Sequence, residues 1–243
     1  ATEILEKATK TARSLYEKIL SEDPKDIKNQ YRYAKILISC YEKYDNSKQR
    51  YAFPQKERIK FYEEAVGLFE SIKENYELLS DENKKRVRNI HIKARYNLAK
   101  VLNDNIDAMI PELAMFGFVY NHDDIKLATY NFPWNPAELK TAADEIVFIF
   151  NAYHIPFENL SEENAKRIAA EDLPVHIFDL FYRRAKIFYT MYKIYAAGIL
   201  RVTNEKRLEK MENYLMQALM NCKYVAGIKI EALSQKTADQ GGF

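Results

Sequence analysis

The chain has 243 residues, 47% of them apolar, with only 6 Gly and 7 Pro. That length and apolar share suffice for a sizeable core, while so few turn residues exclude a β-sandwich or barrel, which needs a turn signal about every 8–12 positions. Lys and Arg number 37 against 35 Asp and Glu, a balance that excludes a polyanion-binding field over the whole surface and an acidic tail.

Apolar spacing predicts a first helix over residues 2–20, with Ile4, Leu5, Ala8, Ala12, Leu15, Tyr16, Ile19 and Leu20 on one broad stripe. Ser21-Glu22-Asp23-Pro24 ends it, because the residue before Pro is pushed out of the helical region. Asp26 is the expected N-cap of a second helix over 27–44, whose face is Tyr31, Ala34, Ile38 and Tyr41, with Leu37 and Cys40 beside it. A polar loop over 45–54 leads to a third helix, 55–76, carrying Ile59, Tyr62, Ala65, Val66, Phe69 and Ile72. Ser80-Asp81-Glu82-Asn83 supplies capping residues for a fourth helix to about residue 103, with Ala94, Leu98, Ala99 and Leu102 on its face.

Residues 105–136 break the pattern. They hold Pro111, Pro133, Pro136 and the only Trp, and read as a short helix followed by a structured, irregular, aromatic-rich insertion. Pro136 suits the first position of a fifth helix to about 153, whose Ile146, Val147, Phe148, Ile149 and Phe150 make it apolar all round and buried on several sides. A short helix is expected over 161–170, then a long aromatic one over 175–199 in which Gly198 is a point of loosening. A last helix starts near Thr203, and the sequence turns polar after Ala232.

Ala12, Tyr16, Ile19 and Pro24, followed by Tyr33, Ala34 and Leu37, give this helix pair the small and large faces of a repeat junction. The stretch resembles a tetratricopeptide (TPR) repeat junction. Ala65, Phe69 and Ile72 with Leu98, Ala99 and Leu102 repeat the spacing, and Phe181, Ala185 and Phe188 with Met211, Leu215 and Ala218 give a third, looser copy. The Trp and Gly usual in the first helix are missing: Gln30 and Arg95 stand at the Trp-type position. The resemblance implies an all-α fold of antiparallel helix hairpins, stacked as a divergent TPR-like solenoid or bundle. It also implies a general habit of binding partners. A single domain over 1–234, with the insertion near 105–136, and a disordered tail over 235–243 complete the expected organisation.

Chemistry-bearing patterns are sparse. The sequence holds no Gly-rich phosphate loop, no His-Glu-x-x-His and no Cys-x-x-Cys. His91, His122, His154 and His176 do not pair at helical metal-ligand spacing, and Asn121-His122-Asp123-Asp124 reads as a solvated polar turn. His176 and Asp179, three apart on a helix, could hydrogen-bond to each other. Cys40 and Cys222 read as buried reduced thiols. The runs Lys84-Lys85-Arg86 with Arg88, and Arg183-Arg184 with Lys186, read as solvated helix faces in preference to a nucleic-acid stripe. No catalytic residue, metal or cofactor is expected.

The leading expectation is a non-enzymatic scaffold or adaptor that holds a partner protein or peptide in a helical groove, with Tyr31, Tyr33, Tyr96 and Asn97 as groove residues. The alternative is a carrier of a small apolar ligand, in a pocket made by Phe116, Phe118, Tyr120, Phe132 and Trp134 of the insertion with Phe181 and Tyr189 of the 175–199 helix. An unrecognised helical enzyme or nucleic-acid binder comes third. The chain begins Ala-Thr-Glu and reads as a processed or trimmed form, cytoplasmic or, if a signal or anchor was removed, exported. No run approaches the ~20 apolar residues that span a bilayer. Self-association is left open.

Overall fold

The computed structural model describes residues 2–41, 44–45, 50–51, 53–73, 75–115, 120–121, 137–152, 154 and 173–240. Among these the chain is all-helical apart from two-residue extended pairings. The helices are α1 (Thr2–Glu22), α2 (Ile27–Tyr41), α3 (Gln55–Lys73), α4 (Asp81–Met115), α5 (Ala137–Ala152), α6 (Ile177–Ala196) and α7 (Asn204–Gln240). A 3₁₀ turn, Tyr76–Leu78, precedes α4. The extended pairs are β1 (Tyr44–Asp45) antiparallel to β2 (Arg50–Tyr51), and β3 (Tyr120–Asn121) parallel to β4 (Leu200–Arg201). The helix expected over 161–170, and residues 116–119 and 122–136 of the insertion, lie outside the described residues. Contacts divide the chain into two compact units, 1–101 and 102–243, and the division falls within α4.

In the first unit α1 packs on α2 and α2 on α3. Small residues permit this: Ala34 on α2 and Ala65 on α3 are wholly buried, beside the buried Tyr33 and Leu37 of α2 and Phe69 and Ile72 of α3. A helix pair can approach closely where one partner carries only a methyl group. The buried stripe of α2 is Gln30, Tyr33, Ala34, Leu37 and Ile38, so it is rotated toward Tyr33 from the expected Tyr31 face. Gln30 is tolerated inside because its amide donates to the Pro24 carbonyl. Arg95 is likewise buried and donates to Glu70. On α1 the broad stripe is only partly used. Tyr16 stacks on Tyr33 at 5.4 Å, but Ile4, Leu15 and Ile19 are exposed, because the stripe is wider than one neighbouring helix can cover.

In the second unit α6 and α7 form the main pair, through Phe188 with Tyr214 and Phe181 with Tyr224, and α5 packs on α6. Helix α5 is less enclosed than its composition suggests: Ile146, Ile149 and Phe150 are buried, whereas Val147 and Phe148 are half-buried.

Three helix ends differ from the expected ones. Helix α4 does not stop near residue 103 but runs to Met115 with Pro111 inside it. Buried Ile106 and Ile110 continue the stripe of Leu98 and Leu102 at four-residue spacing, and the polar Asn103 and Asp104 that suggested a loop are satisfied by Thr190 and Arg183. Helix α6 ends at Ala196, short of 199. Gly198 adopts φ +69°, its amide donates to Tyr195 and that of Ile199 to Ile194, a left-handed glycine stop that other residues adopt only with strain. The Arg207 guanidinium closes the same end by donating to the Ala196 carbonyl. Helix α7 continues to Gln240, through residues 235–240 that the sequence suggested as tail.

Candidate functional site

In the first unit, described side chains line a groove of about 400 Å³. Its walls are two helix beginnings. Asp26 starts α2: its carboxylate accepts from the Asn29 amide at 3.0 Å and from the Asn29 side chain at 2.7 Å, as an N-cap does. The first turns of α2 then present Ile27, Lys28, Tyr31 and Arg32 to the groove.

The opposite wall is set by the 3₁₀ turn. The Tyr76 hydroxyl donates to the Lys84 carbonyl at 3.0 Å, and the Lys84 ammonium meets Glu77 at 2.7 Å while lying over the Tyr76 ring. These contacts fold the turn onto the start of α4. Leu79 is left in extended backbone, with Asn83, Arg86 and Val87 following on α4 as the remaining lining. Ile27, Tyr31, Leu79 and Val87 thus make an apolar floor, and Lys28, Arg32 and Arg86 a basic rim. Arg86 pairs with Glu82, both well exposed, so the pair is screened and weak. Neither Lys28 nor Arg32 has an ion-pair partner among the described residues.

Of the expected groove residues, Tyr31 alone lines this groove. Tyr33 is 2% exposed, stacked on Tyr16 and bonded to Glu64, so its ring belongs to the core and is closed to a partner. Asn97 is buried and Tyr96 half-buried, both far along α4 from the groove walls. Leu79, Val87, Lys28 and Arg32 were not named as site residues, and Arg86 was read as part of a solvated helix face, because residues 27–32 and 79–87 come together only through packing. The visible signal was the Leu78-Leu79 pair set just before a cap, in a segment otherwise charged; Leu78 is itself 82% exposed.

Of the expected apolar pocket, only the Phe181 and Tyr189 side chains fall among those described. Phe181 is sealed between Phe150 and Tyr224 at 5.0 and 5.2 Å, whereas Tyr189 is 48% exposed and stacks on Tyr192. Phe116, Phe118, Phe132, Trp134 and the Tyr120 side chain lie outside the described residues, as does His122-Asp123-Asp124. Among the described residues no group of three or more His, Cys, Asp or Glu is placed to hold a metal ion.

Two further expectations from the sequence do not hold. Arg183 is not on a solvated face: it is 4% exposed and bonded to Asp104, and neighbouring Arg184 lies over the Phe150 and Phe188 rings. Cys222 is a free, exposed thiol on the outer side of α7, not a buried one. His176 caps α6, its Nδ1 accepting from the Phe178 amide at 3.2 Å.

Among the described histidines His91 is strongly perturbed. Burial first, then the charges of Arg95 and Lys73, push it down to about 3. Glu70 lies 3.7 Å from its Nε2, yet Arg95 donates to that same nitrogen at 2.7 Å and also binds Glu70. The nitrogen is therefore an acceptor and the ring is neutral, held on Phe69 at 5.0 Å. The cluster links α3 to α4 through Glu70, His91 and Arg95. No protein-family model, curated protein or solved structure matches the chain.

Proposed function

We propose that the protein is a non-enzymatic scaffold of divergent TPR-like architecture that captures a segment of a partner protein in the groove between the starts of α2 and α4. The observation that carries this reading is the apolar floor of Ile27, Tyr31, Leu79 and Val87, open to solvent within a rim of charge. A cavity of about 400 Å³ is near the small end of ligand sites, and it suits a few anchoring side chains. Packed helix pairs with buried Ala34, Ala65 and Ala99 supply a rigid frame for such a surface. Among the described residues no helix is long and apolar enough to cross a membrane, and the proposed role needs none.

Selection of a random peptide library on the immobilised full chain tests the reading. Selected peptides should lose at least about tenfold in affinity to Tyr31→Ala, a truncation that removes a partly buried aromatic anchor. Circular dichroism melting should show Tyr31→Ala still folded. A library that yields no binder, or binders indifferent to Tyr31→Ala and to Leu79→Ser alike, overturns it.

A further inference from the structure

We propose that the segment this groove takes is acidic, setting an aliphatic or aromatic side chain on the Ile27–Val87 floor and carboxylates against Lys28, Arg32 and Arg86. The inference rests on the reading of the groove as a peptide site and adds the chemistry of its occupant.

Charge complementarity carries it. The lining holds three cations and no carboxylate, in a chain whose cations and anions are nearly equal in number, 37 against 35. The arrangement also runs against what the helix alone favours. Lys28 and Arg32 stand four apart on α2, where like charges repel across one turn. Lys28 moreover lies in the first turn, where the helix dipole favours an anion. With no carboxylate partner among the described residues, both cations are left facing the groove mouth. Local conflicts of this kind collect at functional sites, where a bound partner resolves them. Across the groove Arg86 holds Glu82 only through an exposed pair, with side chains 62% and 73% accessible, so an incoming carboxylate can exchange for it.

The floor separates an acidic peptide from other anions. A nucleic-acid strand needs a run of stacking rings beside its phosphate contacts, and the groove offers one aromatic, Tyr31. A flat membrane surface would not enter a concave floor. Side chains such as Leu, Ile or Phe between Asp or Glu residues match both the floor and the rim.

The peptide selection, read for composition, tests this separately from the function. Enriched sequences should alternate acidic and apolar residues and bind more weakly as salt rises from about 0.05 to 0.5 M, as screening of exposed charge requires. The double reversal Lys28→Glu with Arg32→Glu should weaken them by about tenfold or more, and Lys28→Gln with Arg32→Gln by a few fold. Circular dichroism melts check that both variants fold, and the neutral pair serves if the reversal does not. Binders of neutral or basic composition that still lose affinity to Tyr31→Ala leave the scaffold reading standing and overturn the acidic occupant. Absence of any peptide binder overturns both. Binding of dodecanoate in place of any peptide also overturns both, and assigns the groove to a small amphipathic acid.

Discussion

The phenol of Tyr33 donates to the Glu64 carboxylate at 2.6 Å, and the far oxygen of that carboxylate meets the Arg13 guanidinium at 3.1 Å. The three groups tie α2, α3 and α1 together, with Arg13 also resting over the Phe61 ring. Burial first, then the bond to Glu64, raises the Tyr33 phenol far above its usual range, so it stays protonated. A bond to a charged acceptor is worth ~1.5–3 kcal/mol; Glu64 keeps Arg13 and some water, which argues for the lower end. Tyr33→Phe should therefore cost about 1.5 kcal/mol in urea unfolding at pH 7. A folded-state pKa raised above the unfolded value gives stability that is complete below pH ~10 and is lost as pH rises beyond it. The wild-type protein should thus lose stability above pH ~10 more steeply than Tyr33→Phe; parallel curves would show that the phenol is not held in this way.

Ala34 is fully buried on α2 and Ala65 on the adjoining α3. Adding methylenes to a filled site forces neighbours off their rotamers, at ~1–3 kcal/mol. Ala34→Leu should lower the urea midpoint accordingly, whereas Ala8→Leu, on the exposed side of α1, should stay within ~0.5 kcal/mol of wild type. Equal effects at the two positions would contradict the close packing of α2 and α3.

These small residues were legible from spacing alone, because burial repeats with the helix period and Ala34, Ala65 and Ala99 fall on the stripes. The Asp26 cap and the Pro24 break were legible for the same local reason. What failed was whatever depends on distant partners. Asn103 and Asp104 read as the end of a helix until Thr190 and Arg183 supply their bonds. Tyr31 and Tyr33 differ by two positions, and a rotation of the stripe by part of a turn sends one to the groove and the other to the core. The groove itself joins segments about fifty residues apart, so only Tyr31 was named as a groove residue, while Arg86 was read as a solvated face.

His91 gives a pH signature at the acid end. Its folded-state pKa, pushed down to about 3, lies below the unfolded value near 6.5. The neutral ring thus contributes stability present above pH ~6.5 and lost progressively as pH falls toward 3, at no more than about 1.4 kcal/mol per pH unit. Glutamine can still accept from Arg95 but does not titrate. His91→Gln should be less stable than wild type at pH 7, having lost the stack on Phe69, yet flatter between pH 6.5 and 5, a window above most carboxylate titration. Identical slopes there would place the acid sensitivity elsewhere.

In the second unit, Arg183 and Asp104 make an unequal pair. Arg183 is nearly sealed from water, with Nη1 on Asp104 at 2.7 Å and Nε buried without a partner, whereas the Asp104 side chain is 39% accessible and also meets Lys186 at 3.4 Å. Removing the carboxylate strands a buried cation, and breaking one side of a buried pair costs ~3–5 kcal/mol, lessened here because Asp104 is partly solvated. Removing the guanidinium instead takes away the buried charge and the orphan Nε–H together, and leaves an aspartate that keeps water and Lys186. It costs only a long 3.4 Å bond to the side-chain carbonyl oxygen of Asn103. Asp104→Ala should therefore destabilise by about 2–3 kcal/mol, and Arg183→Met by less than about 1.5 kcal/mol, despite deleting the larger and more buried side chain. Thermal and urea unfolding of the two variants decide it: Arg183→Met more damaging than Asp104→Ala would mean that the arginine is held by packing along its stem and not by its charge.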